Sequence, residues 1–314
     1  MVPMNRREFV ERAVVAASAL AAGSLPSTAE GSQNKPGLHR RVKLGKSGRT
    51  SSLIGIGTGT VGWNGQSNQT RLGHDEFNRI IRHAYDQGIT FFDCADMYGS
   101  HTYLREALKA IPREKVIIQT KIIHRSADEA RADLDRFRQE LGTDYIDHVL
   151  MHVVTEPDWN QRYRGVMDVL EEAKQKHIIR AHGCSCHTLE ALEAAAAEPW
   201  VDVDLARFNP WGRMMDNRRG EPEDKAPDYV KPVLERMRKA GKAVIGMKIL
   251  AEGRIVRGLP QDEKLAKMRE SIRFALASGV IDVMVIGFQS TQEIDEALEQ
   301  TRIALAEIGD LRSA

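Results

Sequence analysis

From about residue 38 onward the chain repeats one unit: a short β-rich apolar run, then a stretch with helical periodicity. A helix between each pair of strands rules out hairpin pairing and leaves parallel strands joined by crossovers. The apolar runs fall over 52–57, 90–93, 115–121, 145–152, 178–184, 203–208, 243–247 and 282–286. The intervening helices are expected over 75–86, 101–110, from 126, 163–175, from 188, 230–239, 263–277 and 292–305. Ser126-Ala127-Asp128-Glu129 reads as a capping box, Gly142 stops that helix, and Thr188 caps the one after the fifth strand. Eight such units predict an α/β protein with a single (β/α)8 TIM barrel. Residues 40–50 read as an N-terminal β-hairpin closing its floor. A doubly wound sheet is the rival. It lacks support because no Gly-x-Gly-x-x-Gly opens the chain. Gly55-Ile56-Gly57-Thr58-Gly59 is a weak phosphate-loop signal and is read as room for a ligand at the mouth of the first strand.

The 314 residues suit one such barrel, with residues 40–314 as the domain. With 42% hydrophobic and 28% charged residues, the composition is that of a globular chain with a large core. A net charge of +1 points to no nucleic-acid partner. Three cysteines, Cys94, Cys184 and Cys186, form no disulfide framework and no Cys-x-x-Cys pair. No metal is expected. His182 to His187 gathers soft ligands, but adjacent strand residues face opposite ways and cannot all converge. The cysteines are instead expected to pack beside a cofactor.

The first residues differ in kind. Asn5-Arg6-Arg7-Glu8-Phe9 is a charged opening, followed by an Ala- and Ser-rich apolar run over 14–23 and small residues at Ser27-Thr28-Ala29. The paired arginines resemble a twin-arginine (Tat) export signal over 1–29, with 30–39 as a linker. That implies the export machinery as a partner and a periplasmic or extracellular location. The apolar run is too short to span a membrane, and no lipid-attachment cysteine is near, so no stable membrane anchor is expected. No long apolar stripe asks for an obligate interface, so a monomer is expected.

Four chemistry-bearing residues stand at or after consecutive strand ends: Asp93, Tyr98, Lys121 and His152. Barrel active sites lie at the carboxyl ends of the strands. A carboxylate, a phenol, an ammonium and an imidazole there can build a proton donor for carbonyl chemistry. Each alone reads as a cap, a rim aromatic, a surface ammonium or a core histidine; the ordered set of four argues otherwise.

Here the chain resembles the aldo-keto reductases. The matching segments are Gly88 to Gly99 (Gly-Ile-Thr-Phe-Phe-Asp-Cys-Ala-Asp-Met-Tyr-Gly), Ile117 to Lys121 and Asp144 to His152. The resemblance implies an NAD(P)-dependent enzyme interconverting a carbonyl (aldehyde, ketone or sugar-like) and an alcohol. Tyr98 would be the general acid/base. Lys121 would lower its pKa, Asp93 would hold Lys121, and His152 would orient the carbonyl. A small-molecule carbonyl is the implied substrate, and NAD or NADP the cofactor. The implied cofactor contacts are Gly57, Thr58, Asp93, Ser185, Met247, Lys248, Leu250, Gly287, Phe288, Gln289 and Glu293.

The chain departs from the family at the nicotinamide pocket. Cys186 replaces an Asn, Leu205 aligns with a carboxamide-binding Gln, and Met247 aligns with a stacking aromatic. Glu293 stands where an Arg would meet a 2′-phosphate, which favours NAD; Ser290 and Glu293 also read as a capping box. Trp63, Met97, Trp159 and Trp211 fall in expected loops at the mouth and are read as substrate-lining. Two alternatives stay open: a nucleotide-binding barrel without turnover, and a sugar isomerase or epimerase with non-dissociating NAD.

Overall fold

The computed structural model describes residues 41–313. The expected signal and linker lie outside the described residues. Strands β1 (Arg41–Lys43) and β2 (Thr50–Ser52) form an antiparallel hairpin with Arg41 opposite Ser52. Leu44, only 1% exposed, follows β1 into the apolar cluster inside the barrel. Lys46 N–H donates to Gly241 O at 2.9 Å, tying the hairpin's turn to the barrel floor.

The barrel strands are β3 (Ile54–Gly57), β4 (Phe91–Asp93), β5 (Ile117–Ile122), β6 (Ile146–Val154), β7 (Ile179–Cys186), β8 (Val203–Arg207), β9 (Ala243–Met247) and β10 (Val283–Ile286). All pair in parallel, and β10 closes the ring on β3. Between them lie α1 (His74–Asp86), α2 (His101–Leu108), α3 (Ala127–Leu141), α4 (Trp159–Arg162), α5 (Arg164–Gln175), α6 (Leu189–Ala197), α7 (Ala226–Lys239) and α8 (Gln261–Ser278), and α9 (Thr291–Ser313) follows β10. The Ser126 side chain accepts from Glu129 N at the start of α3, and left-handed Gly142 (φ 63°) ends it, as the sequence predicts. Helix α7 starts four residues before the expected 230, with Pro227 in its first turn, where a missing N–H costs nothing.

Two apolar layers follow from the two-residue period of the strands. Phe91, Ile117, Leu150, Val203, Leu205, Ile245 and Val285 fill the barrel. Their chain neighbours Phe92, Ile118, Met151, Ala206, Val244 and Ile286 pack outward into the layer shared with the helices. Burying each large side chain is worth roughly 1.5–3 kcal/mol, so a slip of one residue would cost many such terms at once.

The two layers correct three expectations. Cys184 and Cys186 belong to the outer layer and do not pack beside the cleft. Thr58 also turns away from the cleft: its hydroxyl donates to Asp93 O at 2.9 Å and pairs with Ser100 Oγ at 2.8 Å. Trp159 opens α4, is wholly buried, and donates its indole N–H to Ala191 O at 3.2 Å. It packs near Trp200 in the helical layer, so it does not ring the mouth. Its bulk and single donor suit an apolar site with one carbonyl at hand.

Candidate active site

On the inward face Asp93 ends β4, Gln119 and Lys121 lie on β5, and His148 and His152 lie on β6. Lys121 Nζ donates to Asp93 Oδ1 at 2.7 Å and to Cys94 O at 2.8 Å. Gln119 Nε2 donates to the same Asp93 oxygen at 2.8 Å, and Gln119 Oε1 meets His148 Nδ1 at 3.1 Å. A buried ammonium is tolerable only when paired and hydrogen-bonded, and Asp93 with the Cys94 carbonyl meets that need. Burial acts to lower the Lys121 pKa, but Asp93 and the Tyr98 hydroxyl outweigh it and raise the ammonium above its usual range.

Tyr98 sits at the end of a 3-10 turn (Asp96–Tyr98) after β4. Its ring lies in a slot between Gly59 and Gly62. A Cβ at Gly59 would come within 2.2 Å of the ring, and one at Gly62 within 2.4 Å. The glycine-rich stretch after β3 thus makes room for the phenol itself. Lys121 Nζ lies 4.9 Å from the ring centre, and the Tyr98 hydroxyl lies 3.3 Å from His152 Nε2. Arg136 clamps the same turn from α3, donating to both oxygens of Asp96 at 2.7 and 3.0 Å.

Lys121 acts on Tyr98 in the expected direction, but burial outweighs it. Burial raises the Tyr98 pKa above 10, with Lys121 opposing the shift without cancelling it. The phenol therefore stays protonated, the lowering by Lys121 being only partial against burial. Lys121 still supplies the stabilisation a phenolate would need. Burial, reinforced by Lys121, His187 and Arg125, holds His152 well below its usual range, so the imidazole is neutral. Its Nδ1 is buried without a partner. Placing the proton on Nε2 leaves an acceptor rather than a donor unpaired and turns an N–H toward the Tyr98 hydroxyl. The end of β6 is irregular at this point: the register shifts between Met151 and Val154, and Val153 takes φ 53°. The Arg125 guanidinium braces it through the carbonyls of His152 and Val153.

A cleft of about 390 Å³ starts at Tyr98 and Asp93 and runs along the ends of β9 and β10. Gly57, Met247, Lys248, Leu250, Gly287, Phe288, Gln289 and Glu293, which the family resemblance offers as cofactor contacts, are among the residues that line it. Ser185 does not line it, but its buried hydroxyl has no partner and lies on the inward parity of Ala181. Sequence reasoning missed Thr60, Asn68, Arg257 and Lys264 in the lining. The loop after β9 forms one wall, with Lys248, Glu252, Gly253 and Gly258 at positive φ. Its paired glycines were the available signal. Cations at Lys248 and Arg257, a glycine edge and an orphan hydroxyl suit a dinucleotide. The substituted positions fit less well: Cys186 points away and Leu205 is apolar. Glu293 forms the capping box, accepting from Gln289 N at 2.7 Å while its own N–H reaches Ser290 Oγ at 3.2 Å. Trp63 is 70% exposed, Met97 lies in the Tyr98 turn, and the half-buried Trp211 ring carries Lys267 Nζ at 4.9 Å.

Comparison with known proteins agrees with this architecture. The model of the aldo/keto reductase family matches residues 53–307. "Probable aldo-keto reductase 1" of Glycine max is 32% identical over 152 residues, 44% of this chain and 43% of that protein. The "NADH-specific methylglyoxal reductase" of Escherichia coli is 26% identical over 205 residues, 57% of this chain and 61% of that protein. The chain thus spans about half the length of the curated relatives it matches. Aldo-keto reductase AKR11C1 from Bacillus halodurans (holo form) superimposes with a TM-score of 0.66 at 20% identity, over 86% of this chain and 96% of that one. At that identity the likeness speaks for the fold alone, while the family match covers most of the chain. The chain belongs to the aldo/keto reductase family.

Proposed function

We propose that the protein is an NAD(P)-dependent oxidoreductase that interconverts a carbonyl and an alcohol, with Tyr98 as general acid/base. The carrying observation is the Tyr98 hydroxyl at 3.3 Å from a neutral His152, backed by the Lys121–Asp93 pair, at the end of the cleft. A reduced nicotinamide in the cleft would supply the hydride. Ser185, Met247, Lys248 and Gly287 would hold the dinucleotide. In the direction of reduction, Tyr98 O–H protonates the developing alkoxide. His152 Nε2–H donates to the same oxygen and fixes its position. Loss of the proton leaves a phenolate beside the Lys121 ammonium, which stabilises it. Asp93 keeps that ammonium in place.

The reading is tested by following NADH and NADPH consumption with aldehydes, ketones and aldoses. Tyr98→Phe is expected to lower kcat by about 10²–10⁴-fold while nucleotide affinity stays within a few-fold. Full turnover by that variant overturns the assignment. Because Tyr98 stays protonated and His152 neutral, kcat for reduction is expected to be flat between about pH 6 and 9. A fall centred near 6.5 would mean that His152 titrates.

NAD is favoured over NADP because Glu293 places a carboxylate in the cleft wall, and one relative is named as NADH-specific. Mass analysis of nucleotide released on denaturation decides between the two, and a cofactor that never dissociates would revive the isomerase alternative. Export by the twin-arginine route rests on Arg6-Arg7. Replacing both by Lys should leave the protein in the cytoplasmic fraction.

A further inference from the structure

The mouth of the barrel carries more cations than carbonyl protonation requires. Arg207 ends β8 on the same face as Val203 and Leu205, both in the interior cluster, so its side chain turns into the mouth. It is in register with Met247, which lines the cleft. His187 follows β7 on the inward parity of Ala181, and its ring lies 6.2 Å from that of His152. Tyr98, His152 and His187 are successive ring neighbours, at 5.7 and 6.2 Å between centres, and the Arg207 charge acts on His187 from the next strand. Burial and then Arg207, Lys248 and Lys121 depress the His187 pKa to about 3, so the three cations act on one space.

Arg207 is only partly satisfied. One N–H, on Nη1, reaches Asp216 Oδ1 at 3.0 Å, and its Nε has no partner. The second oxygen of Asp216 is also unpartnered, and burial pushes that carboxyl up to about 6 although Arg207 opposes the shift. Asp216 takes one N–H of this guanidinium and leaves Nε unpaired, so part of the fork is unused by the protein itself. Its planar fork matches a carboxylate. We propose that the substrate is an oxo-carboxylate whose carbonyl meets Tyr98 and His152 and whose carboxylate is held by Arg207, with His187 lining the space between them. The proposal rests on the reductase reading and names its substrate class.

The test uses ω-oxo carboxylates of increasing chain length, each beside its methyl ester, with NADH and NADPH. At the best length the acid should exceed the ester in kcat/KM by about tenfold or more, chiefly through KM. Arg207→Gln should bring the ratio within about twofold of one, and Arg207→Lys should keep part of it. Arg207→Gln leaves Asp216 unpaired, so the double variant with Asp216→Asn gives the same readout without the stranded carboxylate. A ratio near one in the parent protein, or an acid preference that survives Arg207→Gln, overturns the proposal. If neither series is reduced with either nucleotide while the wider panel of aldehydes, ketones and aldoses is, the oxo-carboxylate proposal is overturned; if that panel is not reduced either, the reductase reading fails. The same acids and esters are then titrated by tryptophan fluorescence. Acid-selective binding lost in Arg207→Gln upholds the carboxylate site alone, and equal binding of acid and ester overturns it.

Discussion

Two carboxylates lie buried on opposite faces of the barrel wall and fare very differently. Asp93, inside, receives Lys121 and Gln119 at 2.7 and 2.8 Å. Asp204, outside on β8, has only the Cys186 thiol at 3.6 Å, and its other oxygen has no partner. Burial pushes Asp204 up to about 8, so it is neutral at pH 7. The inner carboxylate is paired and aimed; the outer one is merely enclosed. Partners, rather than depth, decide what a buried acid can do.

The contrast can be broken most severely from the inner side. Lys121→Met leaves Asp93 buried against an uncharged neighbour and should cost about 3–5 kcal/mol of stability as well as most turnover. Denaturant unfolding, repeated with Asp93→Asn added, should show the double variant losing far less than the sum. Additive losses would mean that the pair is not coupled.

The outer acid should behave oppositely. Its folded pKa of about 8 lies above the ordinary 3.8, so the folded state binds the extra proton and stability falls as pH rises from 3.8 through about 8. Asp204→Asn should therefore stabilise by about 2 kcal/mol at pH 8 and by little at pH 5, after allowing for an amide left partly unpaired. Equal Tm shifts at both pH values would show that the carboxyl is not held neutral. The smallest effect belongs to Cys186→Ala: a loss of about 1 kcal/mol from packing and a weak hydrogen bond, with kcat and KM unchanged. A change in nucleotide affinity would return Cys186 to the cleft.

Much of this was legible before the structure. The strand–helix alternation predicts the closed barrel, the hairpin and the strand ends that carry Asp93, Lys121 and His152, because periodicity and caps are local properties. The errors over Thr58, Cys184 and Cys186 were avoidable. If Gly57 and Ser185 face inward, their chain neighbours must face out. Trp159 was misplaced because the short helix it opens has no periodic signal of its own. The wall after β9 escaped notice because irregular backbone at positive φ leaves little trace beyond its glycines.

The sequence by itself determined the family, the barrel and the set of reactive groups, since these follow from residue type and short-range spacing. Only the tertiary structure decided their company and its electrostatic consequences: a Tyr98 held protonated, a neutral His152, an Asp93 paired with Lys121 set against an Asp204 with no such partner, and an Arg207 turned into the mouth. Those properties depend on which groups from distant strands share a buried volume, and burial and partner geometry are set by the closed ring of strands as a whole.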